Sequence, residues 1–285
     1  MKLLSFGEII WDVFPDEKHI GGAPLNLAAH VARQGGEAWM LSSVGSDNLG
    51  EDALSEIKNF GVNTALVSVS DTFPTGMCLV TLDADAVPHY DLKKDTAYDR
   101  IGMPDKIEEQ HFDFFALGTL AMRDEYNRET VKKLLSLDVF DKIYVDINIR
   151  PPFFSRDSIL LCLENANIVK ISDEELPTVL KSLEINKSAD AELAAKLLSE
   201  RFENLEYILI TLGADGSLAY DCADKKFYYC SAPKVSVTST VGAGDSFGAT
   251  FLVEYSKGKT IPECLKKASE ISAYVVTKTE AVPEY

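Results

Sequence analysis

The amino-acid sequence points to an α/β protein, with a mostly parallel central sheet, helices on both of its faces and a small accessory β-sheet. Short apolar runs recur along the chain, and amphipathic stretches of helical spacing separate most of them. One region, 74–95, holds two strand-like runs with no helix between. Strands alternating with helices imply right-handed β-α-β connections and parallel pairing, whereas two adjacent strands without a helix imply a hairpin.

Taken in chain order, the strand candidates are "KLLSFG" (2–7), "AWMLSSVG" (38–45), "FDFFALG" (112–118), "KIYVDIN" (142–148), "ANIVKIS" (166–172) and "YILITLG" (207–213). Their length and apolar content fit strands buried on both faces. A helix over 23–34 begins with Pro24, suited to a first helical turn, and stops at Gly35 and Gly36. Further helices are expected over 48–59, with Leu54 and Ile57, over 125–137, and over 189–202, with Leu193, Leu197 and Leu198. "KVSVTST" (234–240) alternates like the end of a strand. The residues after it set Phe247, Phe251 and Tyr255 four apart, on one helix face. The 74–95 stretch reads as a hairpin turning at 83–87, and 11–22 offers further strands beside it. With no repeat, low-complexity segment or long linker, residues 1–285 are expected to form a single domain, with a small β-subdomain from about 11–22 and 74–95.

A chain of 285 residues with 46% hydrophobic and 26% charged composition can bury a large core. Its formal charge of −17 argues against nucleic acid and membrane surfaces as partners, which want a basic face. It does not exclude a nucleotide, because local backbone dipoles bind phosphate on an acidic protein. Glu8 and Asp12 break the apolar run near the start, so no secretory leader is expected, and no apolar stretch has the length of a membrane span. Five scattered cysteines without a Cys-x-x-Cys pair read as reduced core thiols, and the four histidines lack metal-ligand spacing. A reducing cytoplasm is the expected location.

Chemistry concentrates in "TVGAGDSF" (240–247). Gly242, Ala243 and Gly244 stand where a loop feeds a helix, and the free N–H groups of a helix start favour an anion. Asp245 in the same place would repel that anion. Phosphoryl transfer resolves the conflict: the N–H groups hold the moving phosphoryl while the carboxylate takes the proton of the attacking hydroxyl. Several strand runs also close with polar or small residues, among them Asp146, Asn148 and Arg150, Lys170 and Ser172, and Thr211 and Gly213. In parallel sheets ligands bind outside those strand ends. Two nucleotide motifs fail. "GKT" (258–260) lacks the upstream glycine of a Walker A loop, since Val253 occupies that position, and the 242–244 glycines are not followed by the third glycine of a dinucleotide fingerprint.

Five blocks in order carry a resemblance: "GGAPLNLAAHVARQG" (21–35), "DINIRPP" (146–152), "VKISDEE" (169–175), "TLGADGS" (211–217) and "TVGAGDSFGATF" (240–251). With them the chain resembles the ribokinase-like sugar kinases, the PfkB family, and most closely bacterial fructokinases, over essentially its whole length. The resemblance implies a ribokinase-like fold with a β-lid over 11–22 and 74–95. It implies ATP and Mg2+ as cofactors, a small sugar as acceptor and a homodimer paired through the lid, with Val80 and Leu82 as contacts. Asp245 would be the catalytic base, and the backbone of Gly242, Ala243 and Gly244 the anion hole. Asp12 and Asn26 would bind sugar hydroxyls, Gly22 would allow close approach, and Arg150 would lie nearby. Lys170, Thr211, Gly213 and Gly216 would serve the nucleotide, and Glu175 would organise Mg2+ through water. Ser239 and Glu280 stand where relatives carry Asp and Gly, which argues for weak dependence on potassium. The acceptor implied is D-fructose. The alternatives are ribose, a nucleoside or 2-keto-3-deoxygluconate, and, outside catalysis, a sugar-binding sensor.

Overall fold

The computed structural model describes residues 1–14, 16–82, 88–185 and 190–285. The chain runs β1 (Lys2–Phe6), β2 (Ile10–Val13), β3 (Lys18–Gly21), α1 (Ala23–Arg33), β4 (Glu37–Gly45), α2 (Asn48–Asn59), β5 (Val67–Ser70), β6 (Gly76–Leu82) and β7 (Pro88–Leu92). It continues through β8 (Phe112–Gly118), α3 (Glu125–Leu135), β9 (Phe140–Asp146), α4 (Arg156–Asn165), β10 (Ile168–Ser172), α5 (Leu176–Ser182) and α6 (Ala191–Arg201). The last elements are β11 (Tyr207–Thr211), β12 (Ser217–Asp221), β13 (Lys226–Cys230), α7 (Ala243–Ser256) and α8 (Ile261–Val275).

Among the described residues the main sheet has nine strands in the order β13-β12-β11-β10-β9-β8-β1-β4-β5. It is parallel from β5 to β11 and antiparallel at the β11-β12-β13 edge. Alternate residues of its strands feed two cores. Leu4, Phe6, Phe115, Val145, Val169, Ile208 and Ile210 pack with α3, α4, α5 and α6. Leu3, Phe114, Ala116, Tyr144, Ile168 and Leu209 pack with α1, α2, α7 and α8. Burial on both sides explains why these strands read as continuous apolar runs.

Among the described residues a second sheet has four strands in the order β3-β2-β6-β7, with Asp12 of β2 opposite His19 of β3 and Cys78 of β6. Its two halves come from the stretches expected to supply it. The turn expected at 83–87 lies outside the described residues, as do the side chains of Val80 and Leu82.

One expectation fails. Residues 234–240 form no strand; Val235 and Val237 are 41% and 62% exposed. Alternation makes a strand only when one face is covered, and here the apolar face meets solvent. The strand preceding α7 is instead β13, paired to β12. No helix among the described residues is long and apolar enough to cross a membrane.

Candidate active site

The ends of β9, β10 and β11 and the starts of α1 and α7 bring most of the singled-out residues to one edge of the sheet. Helix α7 begins at Gly242, whose φ of 78° is left-handed, and no side chain caps its first turn. A Cβ on Gly242 would lie 2.3 Å from Ala281 O, so only glycine fits here. Uncapped N–H groups at such a helix start favour an anion.

Asp245, half-buried in the first turn of α7, accepts a hydrogen bond of 2.8 Å at Oδ2 from Asn26 Nδ2. Burial raises its pKa above the ordinary carboxylate value, while the Asn26 hydrogen bond and the charges of Lys170 and Arg150 pull against that rise. Asn26 reaches it from the first turns of α1, whose N-cap is Gly22 with φ 113°. A Cβ on Gly22 would stand 2.4 Å from Glu8 O, so the chain can enter α1 here only through glycine.

Lys170 lies beside Asp146 in the parallel register of β10 and β9. Its Nζ donates to Asp146 Oδ1 at 3.0 Å and Oδ2 at 2.8 Å, and both side chains are buried. Burial pushes Asp146 up to about 6 in spite of the lysine. Burial also opposes the Lys170 charge, but the Asp146 carboxylate outweighs it and the net shift is upward. The same ammonium would stand 3.0 Å from a Cβ on Gly244, so it hangs over the turn that starts α7.

Glu175 follows β10. Its carboxylate accepts from Ile149 N at 2.5 Å, Ser172 N at 2.8 Å and Ser172 Oγ at 2.9 Å, which pins the exits of β9 and β10 together. Next to Ile149, Arg150 is exposed, and its charge acts on Glu8, Asp12 and Asp245. Asp12 is half-buried in β2; burial raises its pKa, with His19 and Arg150 opposing.

Thr211 ends β11 and Gly213 and Gly216 follow it, and among the described residues no hydrogen bond or ion pair joins them to Asp245, Asn26 or the Lys170 side chain. Gly213 is exposed. Gly216, at φ 113°, has the Cys230 carbonyl where a Cβ would be, at 2.0 Å, so the β12–β13 pairing by itself requires this glycine. Ser239 Oγ accepts from Val241 N at 3.2 Å, and the Glu280 side chain is exposed.

Two acids had no role assigned from the sequence, although Asp146 stood among the polar strand ends. Glu8 is 3% exposed, and its Oε2 has no hydrogen-bond partner among the described residues. Burial lifts its pKa to about 7, against its own backbone N–H and Arg150, with Asp245 adding to the rise and Arg123 opposing it. The sequence signal was an acid inside the apolar run after β1. Asp146, the buried partner of Lys170, is the second. Both line a cavity of about 20 Å³ with Pro24, Leu27, Thr119 and Tyr144, which has room for about one water molecule.

An oriented carboxylate beside an anion-binding helix start, under a buried ammonium, can remove a proton from a hydroxyl while a phosphoryl group is held against it. The sequence profile of the pfkB family carbohydrate kinases matches residues 2–284. The fructokinase of Salmonella typhimurium is 28% identical over 269 residues, covering 88% of this chain and 83% of the relative. The fold is similar to that of a Vibrio cholerae O395 fructokinase solved with fructose, ADP and calcium ion. The TM-score is 0.85 at 21% identity, with 99% of this chain and 95% of the other covered. It is also similar to the Salmonella enterica aminoimidazole riboside kinase solved with aminoimidazole riboside and an ATP analogue. Here the TM-score is 0.81 at 22% identity, with 100% and 96% covered.

Proposed function

The chain belongs to the pfkB family of carbohydrate kinases and has their ribokinase-like fold, and from that premise we propose that it transfers the γ-phosphoryl group of MgATP to the 6-hydroxyl of D-fructose. Support for the acceptor comes from the fructokinase relatives. The observation that carries the mechanism is the Asn26–Asp245 hydrogen bond at the uncapped start of α7.

In this mechanism Asp245 takes the proton of the attacking hydroxyl as its oxygen bonds to phosphorus and the bond to the ADP oxygen breaks. The N–H groups around Gly242, Ala243 and Gly244 receive the charge on the transferring group, and Lys170 adds a cation above them. Asn26, Asp12 and Arg150 orient the sugar over Gly22, and Thr211, Gly213 and Gly216 edge the nucleotide site. Mg2+, when bound, neutralises phosphate charge. The donor set fits an ion held through water: the Glu175 carboxylate already receives three hydrogen bonds, and no cluster of three metal-binding side chains exists among the described residues. The four-stranded sheet serves as a lid that carries Asp12 to the sugar and excludes water. Its edge strands offer a pairing surface for a second copy.

The test is ADP release from MgATP with D-fructose, D-ribose, adenosine, inosine and 2-keto-3-deoxygluconate, beside Asp245→Asn. Turnover with fructose alone, collapsing in the variant, is the expected result. Turnover with another acceptor would keep the mechanism and replace the substrate. Silence from the folded protein across the panel would favour a sugar-binding sensor.

A further inference from the structure

Helix α1 grips the anion-binding turn at two points. Asn26 holds Asp245, as described. Four residues on, His30 is fully buried, with Nε2 2.9 Å from Ala281 O and Nδ1 2.8 Å from Tyr285 Oη. A carbonyl only accepts, so Nε2 carries the hydrogen and Nδ1 accepts from the tyrosine hydroxyl, which fixes one neutral tautomer. The ring also stacks on Tyr285, at 5.8 Å between centroids and 18° between planes.

Four residues further, Gln34 Nε2 donates to Thr250 Oγ1 of α7 at 3.0 Å and to Tyr285 Oη at 3.3 Å. Positions 26, 30 and 34 recur at four, so they share one helix face. Ala281 is the residue against which Gly242 packs, as the 2.3 Å approach of a Cβ shows. One face of α1 therefore holds Asp245 directly and, through Ala281, the residue that opens the turn. Asn26 and Asp245 fall to the mechanism above; His30 and residues 281–285 have no part in it.

We propose that His30 is a positioning residue for phosphoryl transfer, which fixes Ala281 beneath Gly242 and so sets the 242–244 N–H groups at a working distance from the Asp245 carboxylate. The functional half of this proposal rests on the kinase reading. A displacement of about 1 Å in such a site costs on the order of 100-fold in rate, so a tether this close to the turn acts on turnover more than on binding.

The experiment compares His30→Ala, His30→Gln and Tyr285→Phe with the unaltered protein in two ways. Hydrogen–deuterium exchange follows the peptide 240–247 against 264–270 of α8. Steady-state kinetics gives kcat and KM for both substrates well below the melting temperature. The expected result for His30→Ala is faster exchange confined to 240–247. With it, kcat should fall about 10- to 100-fold while both KM values stay within about 3-fold. His30→Gln, whose amide nitrogen can donate to Ala281 O, should recover most of the loss, and Tyr285→Phe should fall between. Unchanged exchange at 240–247, or an unchanged kcat with only a lowered melting temperature, would overturn the proposal. If the unaltered protein phosphorylates no acceptor, the kinase reading fails separately, and exchange alone decides the tether.

Discussion

Asn26 and Asp245, from α1 and α7, meet through one hydrogen bond of 2.8 Å in which the amide donates to the carboxylate. Burial makes the Asp245 proton harder to remove, and the Asn26 donor makes it easier. The net shift is upward, the direction that makes a carboxylate a stronger proton acceptor.

Asn26→Ala should therefore raise the Asp245 pKa further and move the acid limb of the kcat/KM profile to higher pH. Asp245→Asn should lower kcat by roughly 10²- to 10⁴-fold, the usual weight of a positioned base, while nucleotide binding persists. A pH–rate profile of Asn26→Ala that superimposes on the unaltered one would rule out this role for the amide.

The Lys170–Asp146 pair is buried on both sides. Lys170→Met would strand a buried carboxylate, at a cost of about 3–5 kcal/mol in unfolding free energy. Adding Asp146→Leu should return much of that stability but none of the activity. Denaturant midpoints for the single and double variants measure the coupling; additive losses would show that the pair is not a unit.

Gly242 and Gly35 share a left-handed backbone, but only Gly242 faces an obstruction, the Ala281 carbonyl. Gly35→Ala should cost about 1–2 kcal/mol and keep turnover. Gly242→Ala should lower kcat by at least about 100-fold, comparable to losing an oxyanion donor. Equal effects of the two on kcat would remove the special standing of the 242 turn.

Glu8 and His30 make stability depend on pH in opposite senses. Burial raises Glu8 from an ordinary 4.5 to about 7, so its contribution is complete below 4.5 and is lost as pH rises through 7. Burial lowers His30 from 6.5 to about 4, so its contribution is complete above 6.5 and is lost as pH falls towards 4. Between 4.5 and 6.5 the two slopes, about 1.4 kcal/mol per pH unit each, cancel. Unfolding free energy relative to the unaltered protein should then rise with pH in Glu8→Gln and fall with pH in His30→Gln across that window. Parallel curves for all three proteins would contradict both assignments.

The positions of Ser239 and Glu280 bear on monovalent cations. Neither puts an acid against the turn: Ser239 Oγ is engaged with Val241 N, and Glu280 points to solvent. Replacing sodium by potassium at constant ionic strength should change turnover little. A several-fold increase would establish a cation site here.

Much of the fold was legible because both-face burial leaves β1, β4, β8, β9, β10 and β11 as apolar runs bounded by helical spacing. The antiparallel edge was not, since β12 and β13 carry tyrosines and charges without a clean period. Residues 234–240 showed a clean period without a partner to use it. The glycine-acid turn was readable from local chemistry, because few helix starts need glycines and a carboxylate together. Glu8 was not, because an acid in an apolar run does not reveal whether it will be buried or turned to water. His30 was hidden further, as its meaning depends on Ala281 and Tyr285, far along the chain.

The position of β1 between β8 and β4 separates order of synthesis from order in space. Strand β1 becomes an interior strand, and its second flank arrives only with residues 112–118. Until then β1 presents a row of unpaired backbone groups beside Leu3, Leu4 and Phe6, the kind of edge that recruits other chains. A chain interrupted before β8 would keep that edge open to pairing with other chains, so completion of residues 112–118 is the step that closes it.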